Sequence, residues 1–161
     1  MKRNILITIL LIIIAIFVYY LVRQYIPSIQ PIGILSTQTE LDLSGQGLTK
    51  VPDYVFEQVN LKVLNLSNNN LTGAIPGEIR FLTKLTSLDL SNNKMTGIPA
   101  EIGQLNNLIV LNLSNNELTG LPNELRNLKK LETFNISGNN YSQHDLEIII
   151  GELDPEVLII K

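Results

Sequence analysis

The chain has no cysteine and no tryptophan, a single histidine (His144), and nine Phe and Tyr residues among 161. Without cysteine there are no disulfide staples, thiolate zinc sites, thioether lipid attachments or cysteine nucleophiles. The compartment stays open, because secreted bacterial domains also dispense with disulfides. Positive charge is sparse as well: 12 Lys and Arg stand against 15 Asp and Glu, for a net charge of −3. From Arg23 onward the balance is ten basic to fifteen acidic side chains. A concentrated basic face for phosphate is therefore missing, and a nucleic-acid partner is not expected. The length suits one domain. What the chain holds in excess is Leu (28), Ile (22) and Asn (18), a bias unlike that of an ordinary enzyme or a disordered chain, and one that points to internal repeats.

The apolar residues are unevenly spread. Positions 5–22, ILITILLIIIAIFVYYLV, include Thr8 as their one residue outside the apolar set and follow Lys2 and Arg3. As a helix this run is roughly 27 Å long against ~30 Å of hydrocarbon, so it is expected to span a membrane. Tyr19, Tyr20 and Tyr25 cluster at its far end, where amphipathic rings favour the headgroup layer and Arg23 can snorkel. A cleaved signal peptide is the rival reading. It calls for a shorter apolar core and a small-x-small site, but Ile26 and Ile34 stand two residues before the candidate Ser28 and Ser36. A buried soluble helix is a third reading, against which the continuous uncharged run favours lipid. The positive-inside bias then makes residues 1–4 a cytoplasmic tail and puts the remainder outside. Residues 23–37, with Pro27, Pro31 and Gly33, serve as linker and N-terminal cap. Four cytoplasmic residues are too few to signal inward alone, so a membrane-embedded partner is a further expectation.

From Gln38 the sequence aligns with itself. The segments LKVLNLSNNNL (61–71), LTSLDLSNNKM (85–95), LIVLNLSNNEL (108–118) and LETFNISGNNY (131–141) superpose, and QTELDLSGQGL (38–48) is a weaker leading copy. Successive copies start 23, 24, 23 and 23 residues apart. Each carries a short strand with alternating apolar residues, such as Leu64 and Leu66, that buries one side and shows the other. One copy cannot make a core, whereas stacked copies pair their strands in parallel and cover each other's leucines, giving an α/β solenoid. Asn69, Asn93, Asn116 and Asn139 share one turn position, where an inward amide can satisfy turn backbone groups that would otherwise be buried unpaired. Gln46 replaces Asn in the leading copy.

The pattern L-x-x-L-x-L-x-x-N-x-L resembles the leucine-rich repeat family. The 23-residue copies look like the bacterial type, and the 24-residue copy LTGAIPGEIRFLTKL, lengthened by Ala74, looks like the plant-receptor subclass. The resemblance covers residues 38–141 as five repeats. It implies a short horseshoe arc with a parallel concave sheet, no cofactor, and protein recognition as the general role. The cysteine-paired caps of many plant and animal extracellular members are absent, which points towards a prokaryotic surface protein.

The return segments begin VPDYVFEQV, IPGEIRFL, IPAEIGQL and LPNELRNL. Pro52, Pro76, Pro99 and Pro122 suit the first position of short helical turns, with Asp53, Glu78, Glu101 and Glu124 near the positive ends of their dipoles. Residues 142–161 read as a C-terminal cap: Ser142 caps a helix through QHDLEIIIGEL, Pro155 stops it, and a last strand, Val157 to Ile160, covers the open end of the stack.

Side chains between the buried leucines form columns on the concave face. The first is Thr39, Lys62, Thr86, Ile109 and Glu132; the second is Glu40, Val63, Ser87, Val110 and Thr133. A third is Asp42, Asn65, Asp89, Asn112 and Asn135, and a fourth is Ser44, Ser67, Ser91, Ser114 and Ser137. The last two hardly vary and are expected to be structural. The first two change in charge and shape between copies, so selectivity is expected there. Five strands at ~4.8 Å spacing offer about 20 Å, enough for a peptide or a modest protein patch. No column holds an aromatic ring; Tyr54, Phe56, Phe81 and Tyr141 lie elsewhere and read as packing residues.

Catalysis is not expected. His144 lies in the C-terminal cap, away from the repeat serines, so a Ser-His-Asp triad has no support. Asp42 and Asp89 are roughly 9.6 Å apart, at the outer limit for an inverting glycosidase pair, and no cleft or aromatic platform accompanies them. The third column alternates carboxylates with amides and makes a poor metal site. Five Asn-x-Ser/Thr sequons, at Asn65, Asn70, Asn112, Asn135 and Asn140, arise inside the repeat pattern and do not imply glycosylation. The expected function is thus a membrane-anchored, non-catalytic binding module. The alternatives are a structural or adhesion component of the envelope acting by self-association, and a secreted form after signal cleavage.

Overall fold

A computed structural model describes residues 38–161. The expected cytoplasmic tail, membrane span and linker (1–4, 5–22 and 23–37) lie outside the described residues. Among the described residues no helix is long and apolar enough to cross a membrane.

The strands are β1 (Glu40–Asp42), β2 (Val63–Asn65), β3 (Thr72–Gly73), β4 (Ser87–Asp89), β5 (Lys94–Met95), β6 (Val110–Asn112), β7 (Thr133–Asn135) and β8 (Leu158–Ile160), and α1 (Gln143–Ile150) lies between β7 and β8. Six strands form one sheet in the order β1-β2-β4-β6-β7-β8, and β3 and β5 form a separate pair. All of these pairings are parallel. Each three-residue strand of the main sheet turns its middle residue inward and its two outer residues to solvent, as a period of two requires. The register stacks Leu41, Leu64, Leu88, Leu111, Phe134 and Ile159. Leu64, Leu88, Leu111 and Phe134 are fully buried.

Parallel neighbours need a crossover, and from β1 to β7 it is a five-residue 3-10 helix: Asp53–Glu57, Gly77–Phe81, Ala100–Gln104 and Asn123–Asn127. The four prolines stand one position before these helices, in extended backbone, rather than at the first helical position expected from sequence. Their carbonyls accept the opening i→i+3 bonds, from Val55, Ile79, Ile102 and Leu125 at 3.0–3.2 Å. Proline suits that lead-in because its φ is fixed and no N–H is needed. Asp53, Glu78, Glu101 and Glu124 do occupy the first turns. Val55, Ile79, Ile102 and Leu125 then point inward against the strand leucines.

Between strand and crossover the chain turns over a row of asparagines. The Asn93 Nδ2 donates to the carbonyls of Leu66, Leu90 and Ser91 (3.0–3.2 Å), and its Oδ1 accepts from Leu71 N–H at 3.0 Å. Asn69, Asn116 and Asn139 repeat the arrangement, each bonding the preceding repeat as well as its own. One side chain thus fastens two repeats. The residue just before each rung is left-handed: Asn68, Asn92 and Asn115 have φ of 54–57°, and Gly45 and Gly138 hold the same place at 65° and 68°. Asn and Gly tolerate this conformation better than other residues do.

At the C-terminal end the Ser142 Oγ accepts from Asp145 N–H at 3.3 Å and caps α1, which buries Leu146 and Ile149. The helix ends at Ile150, short of the expected GEL, and β8 adds a sixth strand to the sheet. Phe56 is buried and Tyr54 and Tyr141 pack against the core. Phe81 does not: it is 49% exposed, with the Arg80 guanidinium 4.7 Å from its ring centre.

Candidate functional site: the open face of the parallel sheet

Glu40, Val63, Ser87, Val110 and Thr133 are successive register partners across β1, β2, β4, β6 and β7, and Leu158 continues the row on β8. Thr39, Lys62, Thr86, Ile109 and Glu132 precede these residues and are laddered by their own backbone. Each N–H from Lys62 onward meets the carbonyl of the residue one repeat back at 2.7–2.8 Å. The following N–H shares that carbonyl: Lys62 and Val63 both donate to Thr39 O, and Ile109 and Val110 both donate to Thr86 O. Two donors on one acceptor make a bulge-like step that interrupts the period of two. Consecutive side chains therefore both reach solvent. Thr39, Glu40, Lys62 and Glu132 are exposed, whereas Val63, Thr86, Ser87, Ile109, Val110 and Thr133 are half-buried. The Thr86 hydroxyl is engaged, donating to Lys62 O at 2.9 Å.

The third column is committed to the turn. Asp42, Asn65, Asp89, Asn112 and Asn135 each accept, through Oδ1, from the N–H of the serine two residues on (2.9–3.2 Å). In three copies the serine hydroxyl donates to the same oxygen at 2.6–2.8 Å. These Asx-turns draw the serines inward. Ser67, Ser91 and Ser114 are only 5–6% exposed and Ser44 and Ser137 are half-buried, so the fourth column is a structural row, buried in its middle, and not the solvent-facing one the sequence pattern suggested. At the sheet edge the Ser44 N–H and next the Ser44 hydroxyl hold the Asp42 carboxyl below its ordinary value, against an upward push from desolvation that outweighs the slight further lowering by the Asn65 amide.

Charged and apolar residues alternate along the face. Glu40 and Asp42 lie on β1, Lys62 leads into β2 and Asp89 lies on β4, while Ile109 and Val110 at β6 and Leu158 and Ile160 on β8 flank the exposed Glu132 at the entry to β7. Where the chain enters β6, β7 and β8, a groove of about 360 Å³ is lined by Ile109, Lys129, Lys130, Leu131, Glu132, Asp154, Glu156 and Val157. Both lysines are turned to other partners: Lys129 Nζ donates to Glu152 O at 2.6 Å and Lys130 Nζ to Asn107 Oδ1 at 2.8 Å. The groove unites Ile109 and Glu132, marked from the sequence, with cap residues that no repeat pattern singles out. A useful signal would have been that Val157 follows the same strand-entry position as Glu132.

Reactive groups are not assembled on this face. His144 is exposed on α1, and the Ser91 hydroxyl donates to Asp89. Among the described residues no group of three or more His, Asp and Glu is arranged to hold a metal ion.

Curated relatives align over about a third of the chain. Receptor-like protein 32 of Arabidopsis thaliana is 44% identical over 55 residues, and receptor-like protein kinase 7 of the same plant is 46% identical over 57. Each match covers 34% of this chain but 6% of the relative, so the chain spans a small part of those proteins. Among solved structures, a leucine-rich-repeat protein of Leptospira interrogans matches with a TM-score of 0.65 and 40% identity, over 70% of this chain and 28% of that one. The ectodomain of the Arabidopsis membrane receptor kinase GASSHO1/SCHENGEN3, solved in complex with Casparian strip integrity factor 2, matches at 0.63 and 33%, over 76% of this chain and 15% of that one. The family model described as leucine rich repeat matches residues 38–95 and 83–140. These stretches cover more than half of the chain, which belongs to the leucine rich repeat family.

Proposed function

We propose that this protein is a membrane-anchored leucine-rich-repeat module that recognises a protein or peptide outside the cytoplasmic membrane and carries out no catalysis. The observation behind this reading is the pair of adjacent columns from Thr39 to Glu132 and from Glu40 to Thr133, where both residues of each bulge-like step reach solvent. Their side chains vary from copy to copy while the rows beside them stay uniform, the pattern expected when a fixed scaffold presents a specific surface. Two similar structures are of receptors in complexes, the GASSHO1/SCHENGEN3 ectodomain with Casparian strip integrity factor 2 and a plant peptide hormone receptor with RGF2. The relatives named receptor-like proteins and the uncharged run at 5–22 support a place at the cell surface.

Paired charge reversal tests the face. Lys62→Glu with Glu132→Lys, in the full chain, is expected to abolish proximity labelling of the wild-type partner while circular dichroism stays unchanged. Labelling of the same partner at the wild-type level would reject this face as the binding site, and altered cell cohesion with unchanged labelling would favour a structural role. Protease added to spheroplasts is expected to remove the repeats; full protection would reject the extracytoplasmic placement.

A further inference from the structure

Three of the five large hydrophobic side chains that stand exposed among the described residues, Ile148, Leu158 and Ile160, belong to the C-terminal cap. Leu158 is 58% and Ile160 38% exposed, and both lie on β8, which among the described residues has a paired neighbour on one side only, β7. The bonds to β7 fix which backbone groups remain. Leu158 N–H donates to Glu132 O and Ile160 O accepts from Ile136 N–H, each at 2.8 Å. Backbone groups alternate sides along a strand, so the N–H and C=O of Ile159 point away from β7. Apolar side chains beside an unpaired edge make a template for another strand.

We propose that the edge of β8 is a self-pairing surface, on which a second copy of this chain docks antiparallel about a twofold axis through Ile159. The two Ile159 residues would exchange N–H and C=O bonds, the narrow pair that their outward groups require. Leu158 of each copy then lies opposite Ile160 of the other, so apolar meets apolar on both sides of the axis. Lys161 falls opposite Val157 of the second copy, and symmetry repeats the contact at the other end. Head-to-tail stacking on β1 fits worse, because it would set Leu158 and Ile160 against Glu40 and Asp42. The axis is perpendicular to the sheet, so both copies present their open faces on the same side. Two three-residue strands bury less than the roughly 1,200 Å² of a stable interface. The pair is therefore transient and must be trapped.

The absence of native cysteine makes the trap clean. Full chains carrying Leu158→Cys and full chains carrying Ile160→Cys are purified in detergent, mixed and mildly oxidised. Positions 158 and 160 would form a pair without hydrogen bonds, with Cα atoms about 4.5 Å apart and within disulfide reach. A disulfide-linked dimer is expected in the mixture and not in either variant alone, and Leu158→Lys placed in the Ile160→Cys chain is expected to abolish it with circular dichroism unchanged. Three outcomes would overturn the inference: no dimer in the mixture, equal linking in each variant alone, or linking of Leu158→Cys to Glu40→Cys.

Discussion

Asn93 holds two repeats together through three donated bonds and one accepted bond, all inside the protein. Asn93→Ala strands the buried Leu71 N–H and takes one donor each from the Leu66 and Leu90 carbonyls, which keep Asn69 and Asn116; one buried unpaired group sets the penalty at roughly 1–3 kcal/mol. Urea unfolding should show a large loss for Asn93→Ala and a smaller one for Asn139→Ala, whose rung is only half-buried. A second prediction concerns Asp42. Its carboxyl is held below its ordinary value chiefly by the Ser44 N–H and next by the Ser44 hydroxyl. The stabilisation is complete above the ordinary carboxylate value and is lost as pH falls through the lower folded value. In an NMR titration Ser44→Ala should move the Asp42 midpoint upward part of the way, because the backbone donor remains. An unmoved midpoint would show that the hydroxyl contributes nothing.

Between elements, the tightest approach is that of the third and fourth 3-10 helices. A Cβ added at Gly103 would overlap the Glu124 backbone carbonyl, whereas one at Gly97 would meet nothing within 4 Å. Gly103→Ala must therefore push Ala100–Gln104 away from Asn123–Asn127, at the roughly 1–3 kcal/mol typical of overpacking. Gly97→Ala is expected to leave the thermal midpoint close to wild type, and equal shifts for the two would refute the steric account. This site was not legible in the sequence, because Phe56, Arg80 and Arg126 occupy the matching positions of the other repeats and nothing local marks Gly103 as the close approach. The strand columns were legible, since the 23- and 24-residue spacing fixes the register once the strands pair. β3 and β5 were not: Thr72–Gly73 and Lys94–Met95 have no alternating pattern and pair only because stacking brings them side by side. The burial of Ser67, Ser91 and Ser114 was equally hidden, since it comes from Asx-turn bonds rather than from hydropathy. On the face itself, the two variable columns could be read from repeat alignment, but the Ile109–Val157 groove needed the fold of the cap.

Across the described repeats the contacts run only between neighbours, β1 with β2, β2 with β4, and so on to β8. Stability in such a stack is a sum of repeat terms and interface terms, so position along the stack decides what one lost side chain does. Leu111 is fully buried, with Leu88 on one side and Phe134 on the other. Leu41 sits on the first strand described and is only partly buried. Leu111→Ala removes atoms from two interfaces at once and should cost about 3 kcal/mol or more, within the range for buried leucines. It should also weaken the coupling between the repeats before and after β6. Hydrogen exchange would then show Leu64 and Phe134 amides opening with different free energies, where the wild type opens them together. Leu41→Ala should lower stability less and leave the two amides coupled. If both substitutions cost the same and neither separates the two amides, nearest-neighbour coupling is not what holds these repeats, and the core behaves instead as one undivided unit.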